Sequence, residues 1–292
     1  MKIAMIQDAP VLFNKRGSIE KTISLIEKAE NADLIVFPES FIPCYPRGLS
    51  FGMHIGGADA QGRQDYQRYY DSSVEITELA PVCDAAKRAN AIVSLGITER
   101  DGGTLYCTNV FIGSDGKLLG KHRKIKPTGA ERCVWGEGSD LFTFRSPFGT
   151  IGSLICWENY MPLARTAMYS QGIDIYIAPN ADGRREWQST VRHIAQEGRC
   201  FVLSCNQFVK KSDYPVDLQS RLDTPADEIS PGGSCVIAPN GKYLREPLYH
   251  KAEIITCELD SNLLSASRLD FDPCGHYSRP DLFSFEYKTP QF

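Results

Sequence analysis

An apolar run, TIGSLI (150–155), ends directly in the thiol of Cys156, which Trp157, Glu158 and Asn159 follow. If that run is a strand and a helix begins after it, the thiol lies near helix N-terminal amides, which favour a thiolate and can hold an oxyanion. A thiol nucleophile also needs a base for its proton, a cation or donor for charge on the substrate heteroatom, and a proton source for a leaving amine. Three further residues have suitable types. Glu39 follows an apolar run in VFPES, Lys124 sits in KHRKIKPT, and Glu131 sits in PTGAERCVWGEG. Strand ends are where α/β folds expose reactive groups. Taken singly, each has a structural reading: Glu39 as a helix cap or solvated acid, Lys124 as a basic loop residue, Glu131 as a surface acid, and Cys156 as a buried core thiol. Together, one cysteine, two glutamates and one lysine supply the required roles without histidine. A Cys–His pair is the alternative, with His54, His122, His193, His250 and His276 available. His122 would share a strand face with Lys124, His193 falls mid-helix, and His276 sits in an expected loop segment, GHYSRP.

The elements that must position these groups alternate along the chain. Strands are expected at 2–6, 33–38, 91–98, 105–113, 117–123, 150–156, 172–180, 200–206, 234–241 and 253–259, with SDGK (114–117) as a hairpin turn. Helices are expected at 17–30, 74–90, 160–171 and 186–198, with Pro81 marking a kink or boundary in the second. The segment 207–232, rich in Asp, Ser and Pro, reads as a long loop. Long apolar strands imply sheets covered on both faces. The β–helix–β rhythm occurs twice, in 2–113 and 150–259, with no linker composition between. The expected architecture is therefore α/β, with two packed sheets covered by helices.

Composition agrees with a globular chain. Of 292 residues, 42% are hydrophobic and 23% charged, and the formal net charge is -4, so a polyanion partner is not indicated. A chain of this length can bury roughly 75% of its unfolded surface and needs no disulfide or metal to fold. The ten cysteines contain no C-x-x-C pair, which removes the usual spacing of zinc and iron–sulfur sites. Most stand in apolar runs, as free cysteines commonly do. The apolar stretch in MKIAMIQDAP is too short for a signal-peptide core, and no run reaches membrane-helix length. A reducing cytoplasm, no membrane and no nucleic acid are the expected setting.

The stretches VFPESFIPCYPRG (36–48), RYYDSSVE (68–75), KHRKIKPTGAERCVWGEG (121–138), LICWENYMPLAR (154–165), EGRCFVLSCNQ (197–207), GGSCVIAPNG (232–241) and DPCGHYSRPD (272–281) resemble the nitrilase superfamily, and its true nitrilase branch in particular. They run in the family's order and cover nearly the whole chain. The resemblance implies a four-layer α-β-β-α sandwich of two mixed sheets, and a single carbon–nitrogen hydrolase domain over 1–292. It implies Glu39 as general base, Lys124 as charge stabiliser, Glu131 as supporting acid and Cys156 as nucleophile, with no cofactor and no metal. The expected substrate is a small-molecule nitrile, converted to an acid and ammonia through a thioimidate and a thioester. Amide or N-carbamoyl hydrolysis and cyanide hydration are the alternatives within the superfamily, and a non-catalytic scaffold is the alternative outside it. Trp157, Tyr45 and Trp187 are the expected substrate contacts, with Phe51 a further aromatic; such walls suit hydrophobic nitriles. Many family members have glycine where Cys44 stands and a longer tail after GHYSRPD, so a homo-oligomer at the dimer level or larger is expected, without reliance on filaments.

Overall fold

The computed structural model describes residues 1–288; residues 289–292, the end of the expected domain, lie outside the described part. Strands β1 (Lys2–Gln7), β2 (Leu34–Val36), β3 (Ile92–Asp101), β4 (Thr104–Ile112) and β5 (Leu118–Arg123) belong to one sheet. Strands β6 (Thr143–Ser146), β7 (Gly149–Ser153), β8 (Ile175–Asn180), β9 (Phe201–Asn206), β10 (Phe208–Lys210), β11 (Glu228–Ile237) and β12 (Tyr243–Tyr249) form the second. The final strand, β13 (Glu253–Glu258), returns to the first sheet and pairs antiparallel with β1. Both sheets are mixed. The first runs β13-β1-β2-β3-β4-β5, with parallel pairing across β1, β2 and β3. The second runs β10-β11-β9-β8-β7-β6, with β12 beside β11 and parallel pairing across β7, β8 and β9.

Strand alternation builds the layers. Along β1, Ile3 and Met5 join Ile151, Ile177 and Leu203 of the second sheet in one buried cluster, the core between the sheets. Their neighbours Ala4 and Ile6 point the other way, into a cluster with Leu25 and Ile26 of helix α1 (Lys15–Lys28). The same cluster takes Val82, Ala85 and Ala86 of a helix at Ala80–Ala89. On the far face of the second sheet, Tyr176 and Val202 pack against Ala164 and Met168 of a helix at Pro162–Ser170, and against Val191 and Ile194 of a helix at Trp187–Gly198. The result is the expected α-β-β-α sandwich.

Several expected elements differ in detail. The 74–90 helix divides into a short turn, Ile76–Leu79, and the helix Ala80–Ala89, with Pro81 in its first turn, where a missing N–H is harmless. The 207–232 loop contains β10 and the start of β11. A helix at Ala60–Ser72 was not anticipated. Its sequence, AQGRQDYQRYYDS, carries no aliphatic stripe; Tyr66, Tyr69 and Tyr70 join a core cluster, and Asp65 and Ser72 are buried with them. Its start is readable afterwards in Asp59, whose side chain accepts from the Gly62 amide at 2.6 Å. Strand β12, YLREPLY, is half-buried and interrupted by proline, so its alternation is weak.

Candidate active site

Glu39 lies three residues beyond β2, in backbone that runs against β3. Phe37 and Phe41 donate to the Ser94 and Gly96 carbonyls, both at 2.8 Å. A Cβ at position 96 would lie 2.0 Å from the Pro38 carbonyl oxygen, so glycine there is what lets the Glu39 segment approach. Gln207, just after β9, donates to the Glu39 carbonyl at 2.8 Å from the other sheet. Lys124 follows β5 directly and is held by its own amide on the Cys107 carbonyl at 2.8 Å. Glu131 sits in the turn Gly129–Cys133, its carboxylate taking the Thr128 amide at 2.6 Å and the Tyr45 hydroxyl at 2.7 Å.

These three side chains meet in the interior. Lys124 Nζ donates to Glu39 Oε1 at 2.7 Å and to Glu131 Oε2 at 2.8 Å. The Cys107 thiol adds a third contact to Glu39 Oε1 at 3.4 Å. The second oxygen, Glu39 Oε2, is buried without a hydrogen-bond partner. Burial pushes the Glu39 carboxyl up, Lys124 opposes this, and the Glu131 charge adds to it. Burial works against the Lys124 ammonium, but the charges of Glu39 and Glu131 outweigh it and hold the ammonium well above its ordinary range.

Cys156 opens a single tight turn, Cys156–Tyr160, rather than a longer helix. Strand β7 stops at Ser153, earlier than expected. Cys156 has φ of 51°, a left-handed conformation costing a non-glycine residue roughly 1–2 kcal/mol. Its neighbours hold it there. Asn159 donates to the carbonyls of Leu154 at 2.8 Å and Cys156 at 2.7 Å, and accepts from the Tyr176 hydroxyl at 2.8 Å. Buried Glu158 accepts from the Ile155 amide at 2.6 Å, the Ile125 amide at 2.5 Å and the His122 Nε2 at 2.9 Å. One carboxylate therefore grips the residue before the thiol and the residue after Lys124. The sequence reading had amides at this point favouring a thiolate. The structure corrects that: burial and then the Glu39 charge push the thiol up, and Lys124 and the Ala181 backbone offset this only in part. A thiol in that setting rests protonated and reacts only with a base at hand.

Cys156 opens into a cavity of ≈ 320 Å³ that Tyr45, Arg47, Glu131, Trp157, Asp182 and Arg184 help to line. Of the three aromatics expected at the substrate, Tyr45 and Trp157 line this cavity and Trp187 does not. It is 1% exposed, donates to Ser204 Oγ at 2.9 Å and belongs to the helix-facing core. Phe51 packs on Tyr66 and Tyr69, away from the cavity wall. The charged side chains Arg47, Glu131, Asp182 and Arg184 share the wall with the aromatics Tyr45 and Trp157. A larger surface cleft of ≈ 700 Å³ beside α1, lined by Lys15 and Arg68 among others, contains none of the four chemical groups. Sequence reasoning weighed His122 only as a partner for the thiol, whereas it pairs with Glu158, and it missed the roles of Glu158, Asn159, Cys107 and Arg47. Glu158 and Asn159 had a signal, polar residues directly after a thiol; Cys107 and Arg47 had none without coordinates.

Two stacked mixed sheets enclosing a thiol, an ammonium and two carboxylates describe the class of sandwich hydrolases that the sequence motifs resemble. The chain belongs to the carbon-nitrogen hydrolase family, whose profile matches residues 2–269. It is 45% identical to an aliphatic nitrilase of Sinorhizobium fredii over 97% of this chain and 94% of that protein. It is 40% identical to a bifunctional nitrilase/nitrile hydratase of Lupinus angustifolius over 99% of this chain and 86% of the other. Among solved structures, the carbon-nitrogen hydrolase of Helicobacter pylori G27 shares the fold with a TM-score of 0.75 at 21% identity, covering 97% of this chain and 96% of that one. Among the described residues, no helix is long and apolar enough to cross a membrane.

Proposed function

We propose that this protein is a nitrilase, in which Cys156 adds to a nitrile carbon, Glu39 is the base, Lys124 stabilises charge and Glu131 holds Lys124. The thiol proton passes to Glu39 as sulfur bonds to carbon, and Lys124 protonates the nitrile nitrogen to give a thioimidate. Glu39 then passes its proton to Lys124 across their 2.7 Å contact, restoring carboxylate and ammonium, and water adds to that carbon as it loses a proton to Glu39. The carbon–nitrogen bond then breaks, ammonia leaves and a thioester remains. A second water cleaves the carbon–sulfur bond, releasing the acid and restoring the thiol. The observation that carries this reading is the division of labour on Glu39: Oε1 is occupied by Lys124, while Oε2 is buried with no partner and so free to accept a proton. The raised Glu39 value suits a base that must also return its proton. Relatives named as nitrilases at 40–45% identity favour a nitrile over an amide as substrate.

The same reading takes residues 1–292 as one working domain. Glu39 and Lys124 follow strands of the first sheet, and Cys156 follows a strand of the second. It also takes the protein as a cytoplasmic homo-oligomer. Ten free cysteines fit a reducing compartment, and exposed Trp157, Tyr160, Met161 and Leu163 leave apolar surface beside the nucleophile turn. The test is ammonia release from a nitrile panel by purified protein, with mass spectrometry of a trapped acyl adduct. The adduct is expected on Cys156 alone, and Cys156→Ala is expected to lose turnover while remaining folded. Ammonia release by that variant, or an adduct elsewhere, defeats the assignment.

A further inference from the structure

We propose that Arg47 binds a carboxylate at the end of the substrate remote from the cyano group, so that the preferred substrates are small ω-cyano carboxylates. This rests on the nitrile reading and adds the substrate class. Arg47 lines both the cavity that holds Cys156 and an adjoining one of ≈ 230 Å³ beside Glu131 and Trp135. Its guanidinium is oriented but not neutralised. One nitrogen donates to the Ala181 carbonyl, and the group lies 5.2 Å from the Tyr45 ring centroid. Among the described residues no carboxylate forms an ion pair with it, whereas the other charges at the cavity are matched. Asp182 is paired with Arg184 at 2.5 Å and takes the Trp157 indole N–H at 3.0 Å. Glu131 is paired with Lys124 and takes the Tyr45 hydroxyl.

A guanidinium carries five N–H donors in a fork that matches a carboxylate. With one used, four remain for a ligand or water. An apolar substrate filling this cavity would strip water from an unpaired cation, whereas an anionic one would pair it. Cavity size limits the ligand. Arg47 and Cys156 line one cavity of ≈ 320 Å³, at the small end of ligand pockets, so a molecule with its nitrile carbon on sulfur and its carboxylate on the guanidinium has a short spacer between the two ends.

The experiment measures ammonia release from 3-cyanopropanoate and from its uncharged isostere 4-methylpentanenitrile, with wild type, Arg47→Gln and Arg47→Lys. The wild type is expected to prefer the carboxylate by about tenfold or more in kcat/KM, chiefly through KM, as a charge-assisted pair would give. That ratio should collapse in Arg47→Gln and recover in part in Arg47→Lys. A wild type that prefers the uncharged isostere overturns the proposal. So does an Arg47→Gln variant that lowers both substrates by one common factor, since that is the mark of mere support for Ala181. If neither compound yields ammonia, the nitrile reading fails for them, and Arg47 is judged by calorimetric titration of succinate into Cys156→Ala protein. Binding that disappears in the Cys156→Ala/Arg47→Gln double variant upholds the carboxylate site, and no binding overturns it.

Discussion

Replacing Glu158 by glutamine should cost a large part of the fold's stability, and the structure indicates how much. The carboxylate takes the Ile125 amide at 2.5 Å, the Ile155 amide at 2.6 Å and His122 at 2.9 Å, with neither Glu158 nor His122 exposed. Hydrogen bonds to a charged group contribute about 1.5–3 kcal/mol each. Glutamine keeps one acceptor oxygen and turns an NH2 group toward a donor, so at least one backbone N–H loses its acceptor. Breaking a buried pair by changing one partner costs about 3–5 kcal/mol, a large part of the about 5–15 kcal/mol that holds a typical domain together. The pH dependence carries a sign. Burial lowers the His122 value, but the Glu158 carboxylate and the Asp140 backbone outweigh it, leaving the folded-state value raised. A raised group contributes stability that is fully present below its unfolded value, about 6.5, and is lost as pH rises through the folded value. The gap between wild type and Glu158→Gln should therefore be widest in acid and narrow in base. Urea unfolding at about pH 6 and about pH 9, on either side of the histidine range, reads both the gap and its slope. A variant within about 0.5 kcal/mol of wild type at the acid pH, the range of a surface substitution, would refute the clamp.

Glu39→Gln removes the free acceptor and should lower kcat by about 10²–10⁴, the usual contribution of a general base, with less effect on KM; steady-state kinetics on one nitrile decides it. Gly96→Ala drives a methyl group into the Pro38 carbonyl, which lies 2.0 Å from the added carbon; overpacking of this kind costs about 1–3 kcal/mol, and kcat should fall in the folded variant because the Glu39 segment must move. Trp187→Phe loses the bond to Ser204 and should lower stability by about 1–3 kcal/mol without reordering substrate preference. Trp157→Ala, at the cavity wall, should reorder preference at little cost in stability, so the two tryptophans separate in a paired denaturation and substrate-panel experiment.

Much of the sandwich was legible because its strands alternate or run continuously apolar. The inward Ile3 and Met5 and the outward Ala4 and Ile6 of β1 are the clearest case. The helix at Ala60–Ser72 was not legible, because its buried face mixes tyrosines with polar side chains rather than forming an aliphatic stripe; buried Asp65, for one, is paired with Arg221. Glu39, Lys124 and Glu131 were visible as types and motifs, and their convergence is a property of loops that only the assembled sheets bring together. Trp187 misled for a physical reason: an aromatic at a helix start serves a core as readily as a pocket, and its N–H found Ser204. The thiol's electrostatics were misjudged because the sequence shows the turn after Cys156 but not the depth at which the sulfur is buried.

That depth explains why the two sheets are tied together beside the chemistry rather than only by apolar contact. A buried ammonium between two carboxylates gains its mutual attraction only in a dry, fixed site, and desolvation opposes its formation. Its members come from different layers, so a small slip between sheets would separate the thiol from the lysine. Two polar struts oppose such a slip. Gln207 of the second sheet's loop region holds the Glu39 backbone, and Glu158, next to the thiol, holds His122 and the residue after Lys124. The apolar interface between the sheets supplies attraction without register, since side chains there are near-equivalent in chemistry. Directional bonds supply the register, and they end on the backbone of Glu39 and of the immediate neighbours of Cys156 and Lys124. The polar residues least like chemistry in the sequence are thus the ones that make the chemistry's geometry reproducible.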